Sequence, residues 1–365
     1  MKPVYSTLRA RSHVSSGYLD DSFLLGDTFT EYQTNVNDTY ALFNELGFTV
    51  SGKKSVTLPT QVIVHLGSVL NSISMTVSLT KDKIDSITRL GQDIISRRSC
   101  SIREAAQLIG TSVSCSSGVE YGPLYYKQLE IEKNDALKKH QGSFEAQMQL
   151  SELAKSDIRW WIEKSSQYPK KISHGNPYFT LTTDASLEGW DAHRDGMRPT
   201  GGRWLAQEIA DNKHINCLER EAAKLGLQAL CAKDEGVHIL LQLDNVTAVA
   251  FINNMGGTHS KPCNKVAREV WLWCLKRKIW LTATHILGIQ NETADRFSRK
   301  FRDRTEWQLN PSIFKLLVKR WGRPEIDLFA SRHNYAGRIS IKPHLTEASL
   351  TFLANEHLAV CMDFN

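Results

Sequence analysis

The chain is short of several things, and each absence narrows what it can be. No run of apolar residues approaches the roughly 18 needed to span a bilayer, so no membrane-crossing helix is expected. The N-terminus carries Lys2, Arg9 and Arg11 but no apolar stretch behind them, so it does not read as a secretory signal. The seven cysteines (100, 115, 217, 231, 263, 274 and 361) are odd in number and include no C-x-x-C pair. That spacing suggests neither a zinc ribbon nor a disulfide framework. Together these features lead us to expect an intracellular protein, cytoplasmic or nuclear, in a reducing compartment. Charged residues make up 23% and hydrophobic residues 41% of the 365, which is globular and not disordered composition, and long enough for two or three domains. The net charge is +6, and the excess is local. Between Arg296 and Arg338 stand eleven Lys/Arg against four Asp/Glu. A basic tail of this kind suits a polyanion partner, although a solvated surface would look the same.

What the chain does have is organised around residues 179–190. Phe179, Thr180, Leu181, Thr182 and Thr183 favour a strand. Asp184 then falls inside it, and Glu188-Gly189 turns the chain. A carboxylate in a buried strand is costly unless it is paired or binds a cation, so Asp184 is the first candidate metal ligand. The spacing predicts two further antiparallel strands, at 189–194 and 202–206. A helix follows from about 214 to 232, with Leu218, Ala222, Leu225 and Ala229 as its buried stripe. Glu219 lies beside that stripe, over the small residues Ala222, Ala223 and Gly226, where a close helix–sheet approach would bring it to Asp184. Residues 238–243 are apolar on both faces, as a central strand should be, and they end in Asp244-Asn245 at the position where α/β sheets place ligands. A helix through residue 253, a second over 261–276 and a last strand at 280–285, ending in His285, complete the unit. Asn291 is placed to cap a final helix that carries Asp295.

Upstream, residues 15–26 read as a β-hairpin with Asp20-Asp21 at its turn. Such a pair can hold Mg²⁺ or can be an ordinary acidic turn. Residues 28–46 have helical spacing, 48–50 read as a short strand, and Lys53-Lys54 sit in a basic turn. Residues 62–71 read as strand, turn and strand. Residues 80–175 look helical and connective, with a capping-box pattern at Ser101 and Glu104. Trp160-Trp161 suit core packing or base stacking. The Pro, Gly and charge content of residues 168–177 marks a boundary.

Two resemblances follow from these residues. Tyr18-Leu19-Asp20-Asp21, the basic turn at Lys53-Lys54 and His65-Leu66-Gly67 resemble the YxDD hairpin, the following lysine and the primer grip of a reverse transcriptase palm. From residue 178 to about 300, four acids in order (Asp184, Glu219, Asp244 and Asp295, with His285 ten residues before the last) resemble a ribonuclease H. The strings HIN-x-LE, DN-x-TAV, GGT-x-S and N-x-x-AD-x-x-SR are similar to those of DIRS-type retrotransposons. One departure is Asp191, which stands where glycine is usual after the tryptophan and is expected to weaken the hairpin but not the metal site.

The resemblance implies an α/β protein, with an α+β palm remnant and a ribonuclease H-like domain on a mixed five-stranded sheet. It divides the chain into palm (1–80), thumb or connection (81–175), nuclease (176–302) and basic tail (303–365). It implies two Mg²⁺ ions, or Mn²⁺, held by Asp184, Glu219, Asp244 and Asp295, with His285 assisting, and hydrolysis of the RNA strand of RNA–DNA hybrids. Lys53, Lys54, Asn245, Arg299 and Lys300 are the expected nucleic-acid contacts. The fingers and the first palm aspartate of the family are absent, so Asp20 and Asp21 alone imply no polymerase activity. The remaining expected partner is the rest of a retroelement polyprotein. An inactive nucleic-acid-binding remnant is the alternative, and a transposase on the same fold is a third reading.

Overall fold

A computed structural model describes residues 2–204 and 214–286, together with residues 315, 318–320, 326–327 and 339–340. In the first part, helix α1 (Lys2–Ala10) leads into the hairpin of β1 (Val14–Tyr18) and β2 (Asp21–Leu25). The turn itself is Leu19-Asp20, with Leu19 at a φ of 53°, so Asp21 opens β2 and pairs with Tyr18. Helix α2 (Phe29–Glu45) starts where Thr28 accepts a hydrogen bond from the Glu31 amide. Its buried Asn35 donates to the carbonyls of Val14 and Leu25 and so clamps the helix to the open end of the hairpin.

The strand expected at 48–50 is not formed. Instead the Phe48 amide bonds back to the Phe43 carbonyl at 2.8 Å and closes the helix end, and the Phe48 ring meets Phe43 edge-on. Chain committed to a helix cap has no ladder to join. The next hairpin, β3 (Val62–His65) and β4 (Ser68–Asn71), turns through Leu66-Gly67, both at positive φ as a two-residue turn requires. Strand β5 (Thr76–Leu79) extends it.

The middle of the chain is helical: α3 (Lys81–Ser96), the short strand β6 (Cys100–Ser101), α4 (Ile102–Cys115), α5 (Lys127–Lys139), β7 (Gln147–Met148), α6 (Glu152–Lys164) and β8 (Lys170–Lys171). The capping box expected at Ser101 is complete. Ser101 Oγ accepts from the Glu104 amide, and the Glu104 carboxylate accepts from the Ser101 amide. Of the tryptophan pair, Trp161 is buried and Trp160 stacks on Tyr125 with ring centres 3.8 Å apart. Both therefore serve packing.

The last part forms a five-stranded mixed sheet from β9 (Phe179–Ala185), β10 (Gly189–Arg194), β11 (Thr200–Arg203), β12 (His238–Leu243) and β13 (Trp280–His285), in the order β11-β10-β9-β12-β13. The first three strands run antiparallel, and β9, β12 and β13 are mutually parallel. Helices α7 (Ile215–Leu230), α8 (Val246–Asn253) and α9 (Lys261–Lys276) supply the crossings. This is the α/β architecture the sequence suggests. On α7 the buried face is Leu218, Ala222, Ala223, Gly226 and Leu227, whereas Ala229 is exposed, contrary to the expected stripe. The closest approach centres on Gly226. A Cβ there would lie 2.8 Å from Ala192 Cβ and 3.0 Å from Thr183 Cγ2.

One hydrophobic core runs from Leu79 to Ala283 and includes Trp161, Trp190 and Trp271, so the helical middle and the sheet share it. Arg268 of α9 crosses to Asp157 of α6, which has no solvent exposure, with N–O distances of 2.5 and 3.0 Å. A second, smaller cluster holds Val4, Tyr5, Leu8, Leu42 and Phe43. Cys217 and Cys263 form a disulfide between the first turns of α7 and α9. Cysteine spacing gives no sign of it, because the two helix starts meet only through the fold. Among the described residues, no helix is long and apolar enough to cross a membrane.

Candidate metal centre

Three elements deliver one carboxylate each. Asp184 comes from the last turn of the pleat in β9, and it is 3% exposed. Glu219 comes from the first turn and a half of α7 and is also 3% exposed. Asp244 follows the last residue of β12 and is partly open to solvent. Each offers an oxygen, and these oxygens all lie within 4.8 Å of one another. Residues 35 and 25 positions apart are thereby joined, because β9 and β12 are parallel neighbours and Gly226 lets α7 lie close against the sheet. No other such group of metal-ligating side chains occurs among the described residues.

The electrostatics of the cluster are unfavourable without a cation. Burial, reinforced by the carboxylates of Asp244 and Asp184, pushes the Glu219 carboxyl up to about 9, against a weaker opposing hydrogen bond from the Ala185 amide. Glu219 Oε2 is buried with no hydrogen-bond partner. Three converging carboxylates, one of them an orphaned buried oxygen, form a donor set suited to a hard cation with oxygen ligands. The residues therefore fit the Mg²⁺ or Mn²⁺ expected from the sequence.

The flanking residues are ordered around this point. Asn245 caps α8 through the Ala248 amide and donates to Asn216 Oδ1 at 2.8 Å, so it ties the end of β12 to the first turn of α7. His285 ends β13 opposite Leu243, and its Nε2 donates to the Asp244 carbonyl at 3.0 Å. Asp295, Arg299 and Lys300 lie outside the described residues. Lys53 and Lys54 are exposed in a turn, and Asp20 and Asp21 are exposed at the hairpin. The described cluster does not include that pair.

Two residues beside the centre were not assigned a role from sequence. Asp191 on β10 is paired in register with Asp184 and is 2% exposed. Burial, opposed by the Ala192 amide and aided by Asp184, raises its carboxyl to about 7. Arg220 follows Glu219 and has no solvent exposure. Its guanidinium has no hydrogen-bond partner and lies 4.1 Å from the centre of the Phe251 ring. Burial lowers it to about 10, against the charge of Glu219. Strand pairing could have flagged Asp191 once the register was known, whereas nothing in the helical pattern marks Arg220 as buried.

No protein-family model matches the chain, and no curated protein does. Solved structures with some similarity include a foamy viral protease-reverse transcriptase dRH in complex with double-stranded DNA, at 15% identity and a TM-score of 0.38, covering 78% of this chain and 48% of that one. The foamy viral protease-reverse transcriptase in complex with RNA/DNA hybrid gives 13% identity and a TM-score of 0.40, covering 86% and 40%. Its complex with double-stranded DNA gives 15% and 0.39, covering 78% and 57%. The chain thus spans about half the length of the viral chains it matches.

Proposed function

We propose that this chain is a retroelement reverse transcriptase/ribonuclease H fragment of DIRS type whose nuclease part cuts the RNA strand of RNA–DNA hybrids. The observation that carries this reading is the meeting of Asp184, Glu219 and Asp244 within 4.8 Å, on elements in the chain order that the motifs imply. The proposed division is palm remnant (1–80), thumb or connection (81–175), nuclease (176–302) and basic tail (303–365). Asp20 and Asp21 belong to the palm part, and two carboxylates by themselves do not complete a two-metal site.

In this reading Asp184, Glu219, Asp244 and Asp295 hold two Mg²⁺ or Mn²⁺ ions. Such ions supply an activated water and a stabilised leaving 3′ oxygen for in-line displacement. The chain's own residues do the rest. Gly226 sets how closely α7 lies against the sheet, and with it the reach of Glu219. Asn245, fixed by Asn216, presents the end of β12 to substrate and is a candidate contact to the hybrid. His285, oriented by its bond to the Asp244 carbonyl, can take up a proton at Nδ1. Arg299, Lys300, Lys53 and Lys54 offer cations to backbone phosphates.

The test is cleavage of a labelled RNA–DNA hybrid by the full chain, with Mg²⁺ and with EDTA. The expected result is metal-dependent cutting of the RNA strand only, abolished in Asp184→Asn. Full activity in that variant overturns the assignment. Salt-sensitive binding without any cutting overturns it in favour of an inactive nucleic-acid-binding remnant.

A further inference from the structure

We infer that Asp191 is a further carboxylate of the cation site, acting on the ion from β10 alongside Asp184. The inference rests on the cation-centre reading above but not on the identity of the substrate. Asp191 and Asp184 are direct partners in the antiparallel β9–β10 ladder. Residues directly opposite in such a ladder send their side chains to the same face, with Cβ atoms roughly 5 Å apart. The alternation on this pair is fixed by Thr183 and Ala192, whose side chains both meet α7 at Gly226. Asp184 and Asp191 therefore share the other side of the pleat.

The Asp191 side chain is buried, with 2% exposure, and its Oδ2 has no hydrogen-bond partner. The other oxygen is engaged locally, because the carboxylate accepts from the Ala192 amide. Its Oδ1 would lie 3.2 Å from a Cβ at Gly201, the residue opposite it on β11, where the Trp190 carbonyl at 2.6 Å already leaves no room for a side chain. A buried carboxylate oxygen with no donor is unstable beside a second carboxylate unless a positive centre serves both. Glu219 Oε2 is orphaned in the same way on the other flank of Asp184. One ion held at Asp184 acts on both flanks. Asp191 stands outside the group whose oxygens lie within 4.8 Å of one another, so it reaches the ion through a bound water, and it adds a negative charge that the glycine usual at this position does not supply.

Mn²⁺ binding to the full chain, followed by the loss of the free-ion electron paramagnetic resonance signal, tests this without any catalytic readout. Asp184→Asn is expected to abolish the tight site. Asp191→Asn and Asp191→Gly are expected to weaken it about 10-fold or more, the usual effect of a residue that supports a ligand. Thermal melts in EDTA establish that each variant is folded. Wild-type affinity in a folded Asp191→Asn chain overturns the inference, whatever the hybrid assay shows. A wild-type chain that binds Mn²⁺ through Asp184 and Asp191 but leaves the hybrid uncut overturns the nuclease reading and upholds this one. A wild-type chain that binds no Mn²⁺ overturns both.

Discussion

Replacing Glu219 with glutamine is expected to stabilise the metal-free fold while destroying the site. Burial beside Asp244 and Asp184 raises this carboxyl from an ordinary 4.5 to about 9. The folded chain therefore keeps a proton that the unfolded chain releases above about pH 4.5. A raised acid of this kind contributes its full stability below the unfolded value and loses it as pH rises towards the folded one. The loss is about 1.4 kcal/mol per pH unit, so roughly 3 kcal/mol has gone by pH 7 and about 4 kcal/mol goes between pH 5 and pH 8. Glutamine has the same shape, stays neutral and can donate to the two remaining carboxylates. The assay is urea unfolding in EDTA, read by tryptophan fluorescence, for both proteins at pH 5 and pH 8. Other buried acids, among them Asp191 and Asp157, also titrate, but they do so in both proteins, so the difference between the two slopes isolates Glu219. The wild type is expected to lose stability the more steeply, and saturating Mg²⁺ is expected to flatten its curve. Equal slopes, or a glutamine variant less stable than the wild type at pH 8, would refute the reasoning.

Two further predictions concern the frame around the site. Reducing the Cys217–Cys263 bond, or replacing either cysteine with serine, removes a cross-link over 46 residues and is expected to lower stability by about 4 kcal/mol on the chain-entropy estimate; a urea midpoint indifferent to dithiothreitol would mean the bond does not form in solution. Asp157→Asn leaves Arg268 without its counter-charge at the α6–α9 contact and is expected to cost about 3 kcal/mol in the same assay, whereas replacing Asp157 and Arg268 together by leucine and methionine should recover most of that loss.

Much of the sheet could be read directly from the chain. Residues 238–243 and 280–285 have strand-favouring side chains bounded by charge and turn residues, and the folded strands begin and end at those positions. The three acids were legible for a related reason: Asp184 falls inside an otherwise apolar strand, Glu219 borders the buried stripe of its helix and Asp244 follows a central strand, so each needed a chemical cause. What could not be read depends on partners far away in sequence. The buried face of α7 is set by the seat of Gly226 against Ala192 and Thr183, so Ala229 rides outside although its helical spacing would place it within. Phe48 looks like strand but closes a helix instead. Cys217 and Cys263 carry no local signature, and Asp191 comes to lie beside Asp184 only through the β9–β10 register.

The separate packing of Val4, Tyr5, Leu8, Leu42 and Phe43 has a consequence for how this protein would be observed. All nine tryptophans lie at or beyond Trp160, so the indole signal reports only the larger core and the residues after it. The hairpin with Asp20 and Asp21 rests on a few apolar side chains and could open and close many times while fluorescence registers a fully native molecule. Amide hydrogen exchange would see two populations of protons, with the first fifty residues exchanging through a low-energy opening and β9 and β12 only through global unfolding. A single unfolding free energy would then describe the larger core and say nothing about the segment that precedes it.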